Sequence, residues 1–361
     1  MTAARPTPID LDDVRGRVDA ALDAQLAERA AHLAGLGDDL SAVGSALVGF
    51  CHGGKRLRPL FAYCGWRAAG GSGDDTAVVR AAASLELVQA AALVHDDIID
   101  GSDSRRGKPS VHRAFEDVHR AGGYAGEPAR HGIATAILIG DLALIWADAV
   151  LQDAGLDDAA LLRARRELDL MRIEVMSGQY LDVLEQARPA DPEHAVSSAL
   201  RVAELKSASY TVARPLLIGA AIADAGRAVR EALSAVGYHA GIAFQLRDDL
   251  LGVYGDPAVT GKPAGDDLRE GKRTVLVARA LALLGERRDE LAAGFGRDDL
   301  TDGDVDRLRG LIVDSGADRE VEDLIAQHSS AARAALDGAG LEPAGRAALE
   351  ALIDAATRRA H

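Results

Sequence analysis

The chain has almost no cysteine. Its two, Cys51 and Cys64, show no metal-ligand spacing and are too few for a disulfide framework. A reducing compartment, the cytoplasm, is the expectation. Aromatic residues make up only 4% of the 361 positions, and β-branched runs are few. Sheet-forming stretches are therefore scarce, while abundant Ala and Leu favour helices. Basic charge is in deficit: 41 Lys and Arg stand against 56 Asp and Glu, a formal net charge of −15. Such a surface repels a phosphate backbone, so no nucleic-acid partner is expected. The opening MTAARPTPIDLDDV lacks the apolar core of a signal peptide. The most apolar stretch, residues 133–151, is interrupted by Asp141 and Asp148. No uninterrupted run reaches bilayer length, and no transmembrane segment is expected.

What is present is helical periodicity. It predicts helices at 11–35, 40–50, 57–69, 76–101, 110–120, 132–153, 158–186, 193–206, 208–224, 227–253, 272–296, 303–315, 317–338 and 342–359. Gly- and Pro-rich joints such as GGSGDD and AGGYAGEPARHG separate them. No strand alternation and no linker appear. The expectation is a loose tail over 1–9 and one all-α domain over 10–361, a large helical bundle. Residues 132–147 and 211–223 are apolar nearly all round, which predicts burial inside that bundle.

Against this background, "VHDDIIDGSDSRRGKP" at 94–109 stands out. Asp96 and Asp100 are four apart on a predicted helix and share a face, with Asp97 beside them. They sit at the helix C-terminus, where the macrodipole disfavours acids and the carboxylates repel one another. A divalent cation accounts for them: Mg²⁺ takes one or two carboxylates plus waters and phosphate oxygens. Arg105, Arg106 and Lys108 can hold the phosphate. Taken alone, a solvated charged helix end would explain the same pattern.

A second occurrence favours the metal. AGIAFQLRDDLLGVYGD at 240–256 is again an apolar helix ending in paired aspartates, Asp248 and Asp249, with Gln245 on the same face. GKPAGDDLREGKRT at 261–274 then adds Lys262, Asp266, Asp267 and Lys272. A third element, GGKRLRP at 53–59, offers Lys55, Arg56 and Arg58 behind two glycines. It is not a P-loop, because the spacing differs and no strand precedes it.

This combination resembles the trans-polyprenyl diphosphate synthases, the head-to-tail isoprenoid chain-elongating enzymes. Six motifs occur in the family's order: GGKxxRP at 53–59, DDxxD at 96–100 with RRG at 105–107, GQxxD at 178–182, KxxxY at 206–210, FQxxDD at 244–249, and GKPxGxDLxxGKxT at 261–274. The likeness runs from about residue 40 to about residue 280. It implies an all-α fold with a deep central cavity, a homodimer, and Mg²⁺ (three ions, with Mn²⁺ as a substitute) bridging the two aspartate clusters and an allylic diphosphate. The C–O bond would ionise, the double bond of isopentenyl diphosphate would attack the allylic cation, and a proton would leave to the released diphosphate.

Carried over by motif position, Asp96, Asp97, Asp100, Asp248 and Asp249 would bind metal. Arg105, helped by Lys206 and Lys262, would hold the allylic diphosphate, with Lys272 a further substrate-binding residue. Lys55, Arg58, Gln89 and Arg106 would hold isopentenyl diphosphate. Gln179, Ser207 and Gln245 would orient the substrate or stabilise the cation, with Asp182 in support. One departure matters: where the family often carries a second DDxxD, this chain has DDLLG, with Gly252 last. Asp248 and Asp249 would then serve the metals with water, or Asp256 or Asp267 would help.

Chain length depends on the helix before Asp96. Ala91 and Ala92 lie roughly 6–7.5 Å along it from that residue and leave room for a growing tail, with Val88 and Leu85 next. A product longer than fifteen carbons, geranylgeranyl diphosphate, is the expectation. The alternatives are a farnesyl or longer-chain synthase, a class I terpene cyclase, and a non-catalytic regulatory subunit. A cyclase has no use for the second anion site at 53–59, and a regulatory subunit has no need of both carboxylate clusters. His95 beside Asp96 is reminiscent of helical metal phosphohydrolases, yet the only histidines upstream are His32 and His52, and that class leaves the second cluster and GGKRLRP unexplained. His95, His112 and His239 read as packing or hydrogen-bonding residues, and Trp66, Trp146 and Phe115 as core.

Overall fold

Helix formation follows the apolar spacing along nearly the whole chain. The protein is seen in a computed structural model that describes residues 8–188, 193–255, 265–297, 299–337 and 340–357. Helices α1 (Leu11–Leu36), α2 (Ser41–Cys51), α3 (Leu57–Ala68) and α4 (Thr76–Ile99) come first. A small hairpin of β1 (Ser104–Arg105) and β2 (Lys108–Pro109) follows, then α5 (Val111–Ala121), α6 (Pro128–Gln152), α7 (Asp158–Ala187) and α8 (Ala195–Val202). A π-helical segment, Ala203–Ala213, runs into α9 (Arg214–Ile222) and α10 (Arg227–Tyr254). The rest are α11 (Asp266–Arg269), α12 (Val275–Leu283), α13 (Arg288–Gly294), α14 (Asp302–Ser315), α15 (Ala317–Leu336) and α16 (Pro343–Thr357). The fold is all-α, as the periodicity implies. Caps sit where side chains can satisfy orphan N–H groups. The Asp10 carboxylate accepts from the N–H groups of Asp12 and Asp13. Thr301 and Asp304 form a reciprocal capping box.

The described residues gather into two compact units. The first draws on Met1–Glu167, Pro215–Ala225 and Glu342–Ala348. Its centre is α4, buried at nearly every position from Val78 to Ala91 and packed against α1, α3 and α6. Phe61, Leu85, Leu87, Ile139 and Leu151 are fully enclosed there. The second draws on Leu168–Arg214, Gly226–Leu341 and Leu349–His361. In it α10 packs on the π segment and α15, around Leu246, Leu250, Val275, Leu276, Ile312 and Val321.

Five features depart from the sequence reading. Residues 132–147 are not buried all round: Leu138 and Ile145 are 66% and 63% exposed, and Ile133 and Ile137 share that outward stripe. Both α4 and α6 are long and apolar enough to cross a membrane by length and composition, although charges interrupt α6; 72% of the most apolar window of α4 is core. The expected helix 272–296 breaks at Leu284–Arg287, where Gly285 takes φ +54°. The joint expected near Ser207 is instead the continuous π segment. And a two-stranded ladder exists, pairing Ser104 with Pro109 and Arg105 with Lys108. Its two turn residues, Arg106 and Gly107, have φ +53° and +72°, the left-handed pair of a type I′ turn. Strands of two residues are too short to show alternation.

Candidate functional site

The first unit carries an acidic helix end. At the end of α4, Asp96 and Asp100 are partly exposed on one face, while Asp97 is wholly buried. The β1–β2 hairpin folds Arg105 back over them. Its Nε donates to Asp97 Oδ1 at 2.8 Å, and its Nη2 lies 3.5 Å from Asp96 Oδ2. Three carboxylates gather at this end, and a hard cation is a species such oxygens accommodate.

The basic loop lies in the same unit. Gly53, Gly54 and Arg56 all take positive φ, at +75°, +106° and +52°. Lys55 is exposed and Arg58 is 9% exposed. The hairpin delivers a further cation: a side chain at Gly54 would begin 3.7 Å from the Arg106 guanidinium. Lys55 and Arg106 thus present charge from neighbouring turns. On α4, Gln89, Ala92 and Asp96 are all partly exposed and follow one another at helical spacing. Ala91, Val88 and Leu85 are only 1% exposed.

In the second unit α7 offers a rail of residues four apart. Glu174 holds both Ser209 and Arg214, the latter through Nε at 2.8 Å. One turn on, Gly178 lies against the backbone of the π segment: an added Cβ would sit 2.3 Å from Lys206 N and 2.7 Å from Leu205 C. One turn further, Asp182 accepts from Lys206 Nζ at 2.6 Å. A π segment widens the helix locally and is a frequent feature of functional sites; here it sets Lys206 and Ser207 with the backbone pinned at Gly178. Beside Gly178, Gln179 has a buried Nε2 with no acceptor among the described residues.

The acidic end of α10 completes this unit. Gln245 Nε2 donates to Asp249 Oδ1 at 2.7 Å. Asp249 is 4% exposed. Burial, with the charges of Asp267 and Asp248 adding and the Gln245 bond opposing, pushes its carboxyl up to about 8. A carboxylate so reluctant to ionise is one that a nearby divalent cation would favour. The missing fifth residue of the motif also has an explanation in space: a Cβ at Gly252 would fall 1.9 Å from Asp267 Oδ2. Asp267 thus fills the room that a side chain at 252 would take. Lys272 Nζ is 2.5 Å from Glu270 Oε2 and 3.8 Å from Asp267 Oδ1. Lys262 and Asp256 lie outside the described residues. No group of three His, Cys, Asp or Glu among the described residues makes a ready metal cage; Mg²⁺ characteristically completes its octahedron with waters and substrate phosphate.

The histidines behave as expected. His95 Nε2 lies 3.2 Å from the Ile137 carbonyl, and His112 pairs with Ser110. His239 meets His328, and Trp66, Trp146 and Phe115 are buried. Arg56, read from the sequence as a phosphate-facing cation, is instead buried against Glu86 and half-buried Asp19; sequence reasoning passed over Glu174, Glu86 and Asp19. A signal for Glu86 was there: it is the only charge between Ala81 and Val94, and a charge on a buried helix must be paired.

The family described as polyprenyl synthetase matches residues 42–312. A geranylfarnesyl diphosphate synthase of Aeropyrum pernix is 37% identical over 271 residues, 73% of this chain and 77% of the relative. A geranylgeranyl diphosphate synthase of Mycobacterium tuberculosis is 36% identical over 292 residues, 80% of this chain and 77% of the relative. Among solved structures, a geranylgeranyl pyrophosphate synthase from Corynebacterium glutamicum, complexed with isoprenyl diphosphate and magnesium, is 44% identical with a TM-score of 0.91, covering 98% of this chain and 100% of that one.

Proposed function

This chain belongs to the polyprenyl synthetase family and is a transferase, and on that premise we propose that it joins isopentenyl diphosphate to allylic diphosphates of five to fifteen carbons, yielding geranylgeranyl diphosphate and free diphosphate. The observation that carries this reading is the pair of phosphate-binding devices on one unit. The acidic end of α4 with Arg105 suits a metal-bound diphosphate. The Lys55–Arg58 loop, joined by Arg106 beside Gly54, suits a second diphosphate without metal. A cyclase, with a single diphosphate substrate, has no use for the second.

Divalent metal, Mg²⁺ with Mn²⁺ as a substitute and three ions in number, supplies Lewis-acid charge to the leaving diphosphate when bound. On the first unit Asp96 and Asp100 would be its ligands; on the second, Asp248 and Asp249 would be. Asp97, buried against Arg105, keeps that guanidinium aimed. Arg105, Lys206, Lys262 and Lys272 hold the allylic diphosphate as its C–O bond breaks and the bonding pair leaves with oxygen. Gln179, Ser207 and Gln245 turn their dipoles toward the allylic cation. Lys55, Arg58, Gln89 and Arg106 hold isopentenyl diphosphate so that its double bond attacks, after which a proton passes to diphosphate.

Product length tests the finer part of this reading. Ala92 is partly exposed on the Asp96 face, about 6 Å up the helix. Mass spectrometry of the products is expected to show twenty carbons for the wild type and mainly fifteen or fewer for Ala92→Phe. An unchanged distribution in the variant would remove Ala92 from the tail's path, and a wild-type product of fifteen or twenty-five carbons would overturn the length assignment alone.

The outward stripe of α6, with Leu138 and Ile145 more than half exposed, supports a homodimer. Light scattering should give twice the 37.7 kDa chain mass; Leu138→Lys with Ile145→Lys should give the monomer mass. A wild-type monomer would contradict the assignment.

A further inference from the structure

We infer that Arg56 is a positioning residue for isopentenyl diphosphate: locked between Asp19, Glu86 and a backbone carbonyl, it fixes the Lys55–Arg58 loop to the helix that carries Gln89. The inference rests on the function proposed above and goes beyond it, because Arg56 itself meets no substrate. It is 4% exposed, and its neighbours Lys55 and Arg58 are the ones placed to hold phosphate.

The backbone gives the first reason. Arg56 stands at the N-cap of α3 with φ +52° and ψ +36°. That left-handed conformation is one glycine adopts freely and other residues rarely. A non-glycine residue there is held by its surroundings, and the side chain shows how. Nε donates to Asp19 Oδ1 at 2.6 Å, Nη1 to Glu86 Oε2 at 2.6 Å, and Nη2 to the Cys51 carbonyl at 2.9 Å. All three guanidinium nitrogens are engaged, with partners on α1, α4 and the end of α2. A planar fork bonded along three directions cannot pivot. The direction of its Cα–Cβ bond is therefore set, and with it the flanking residues Lys55 and Arg58.

Glu86 gives the second reason. It is 5% exposed and lies three residues before Gln89, on the same face of α4. The clamp therefore ties the loop to the helix that bears the polar side chain assigned to the same substrate, so loop and helix hold one register. Acids and arginine are all buried or half-buried, so the pair is weakly screened by salt.

The test uses the full-length enzyme with Mg²⁺ and measures KM for isopentenyl diphosphate and for the allylic diphosphate separately, together with melting temperature. Arg56→Lys keeps the charge but cannot span three acceptors. It is expected to raise KM for isopentenyl diphosphate by roughly 10- to 100-fold, the scale of a displacement of about 1 Å, and to leave the allylic KM within about twofold. Glu86→Gln should move the same constant in the same direction. The double variant should be no worse than the two effects multiplied, and short of that product if the residues act as one unit. Arg56→Gly, which keeps the left-handed backbone and loses the clamp, should match Arg56→Lys. An unchanged isopentenyl diphosphate KM in folded Arg56→Lys, or both KM values rising in step with a falling melting temperature, would reduce Arg56 to a stability role. Should Arg56→Lys fail to fold, Glu86→Gln decides by the same criterion. A wild type without turnover would instead contradict the proposed function and leave the clamp's geometry untouched.

Discussion

Asp96→Ala is expected to lower kcat by about 10²–10³-fold while the melting temperature stays near wild type or rises. The reason is the mismatch between what Asp96 does for the helix and what it does for a metal. At the C-terminal end of α4 a negative charge opposes the macrodipole. Asp96 also faces Asp100 four residues on, so removing it relieves repulsion. Arg105 keeps its shorter bond, to Asp97 at 2.8 Å. The structural cost is therefore smaller than at Asp97, and the catalytic cost is that of a lost metal ligand. Asp97→Ala provides the contrast. Asp97 is wholly buried and Arg105 is largely so, and removing one partner of such a pair costs about 3–5 kcal/mol of stability. Thermal melts beside steady-state kinetics separate the two cases. Equal loss of stability in both variants would contradict the division of labour at 96 and 97.

Gly178→Val should cost activity by a factor of about 10² or more, with a smaller loss for Gly178→Ala. The first atom added at this position would meet Lys206 N at 2.3 Å and Leu205 C at 2.7 Å. Those are backbone atoms of the π segment and have no rotamer to change. α7 must back away, and Lys206 and Ser207 move with the segment. The Glu174 anchor to Ser209 and Arg214 resists that movement, so the displacement concentrates at Lys206 and its bond to Asp182. Overpacking of this kind also costs about 1–3 kcal/mol of stability. Kinetics below the melting transition of the variant isolate the positional effect. Full activity in folded Gly178→Val would show that Lys206 tolerates displacement and is not held for catalysis.

Much of the helical framework could be read before the structure, because its cause is local. Apolar residues recur at helical spacing, and caps such as Asp10 and Thr301 mark where helices begin. The site residues were readable for another reason: carboxylates and arginines in fixed short spacings have few structural uses. What escaped has causes that lie far apart in the chain. The π segment exists where Gly178, some thirty residues earlier, lets two backbones touch. The hairpin at 104–109 depends on two left-handed residues and on strands too short for a pattern. The outward face of α6 cannot be told from a core face by composition, since Leu138 and Ile145 look like any buried leucine and isoleucine. Gly252 reads as a lost carboxylate until Asp267, fifteen residues later, is found in its place. The Arg56 clamp joins residues 19, 51, 56 and 86, and only Glu86, a lone charge in an apolar run, hinted at it.

The most direct test of the central claim is metal-dependent condensation in a single incubation. Purified protein is mixed with labelled isopentenyl diphosphate and an allylic diphosphate, with Mg²⁺ or with a chelator, and the products are resolved by mass. The account predicts label in chains lengthened by whole five-carbon units, only when both diphosphates and the metal are present. Consumption of the allylic diphosphate alone to a hydrocarbon or alcohol, or label in lengthened chains under chelation, would contradict it.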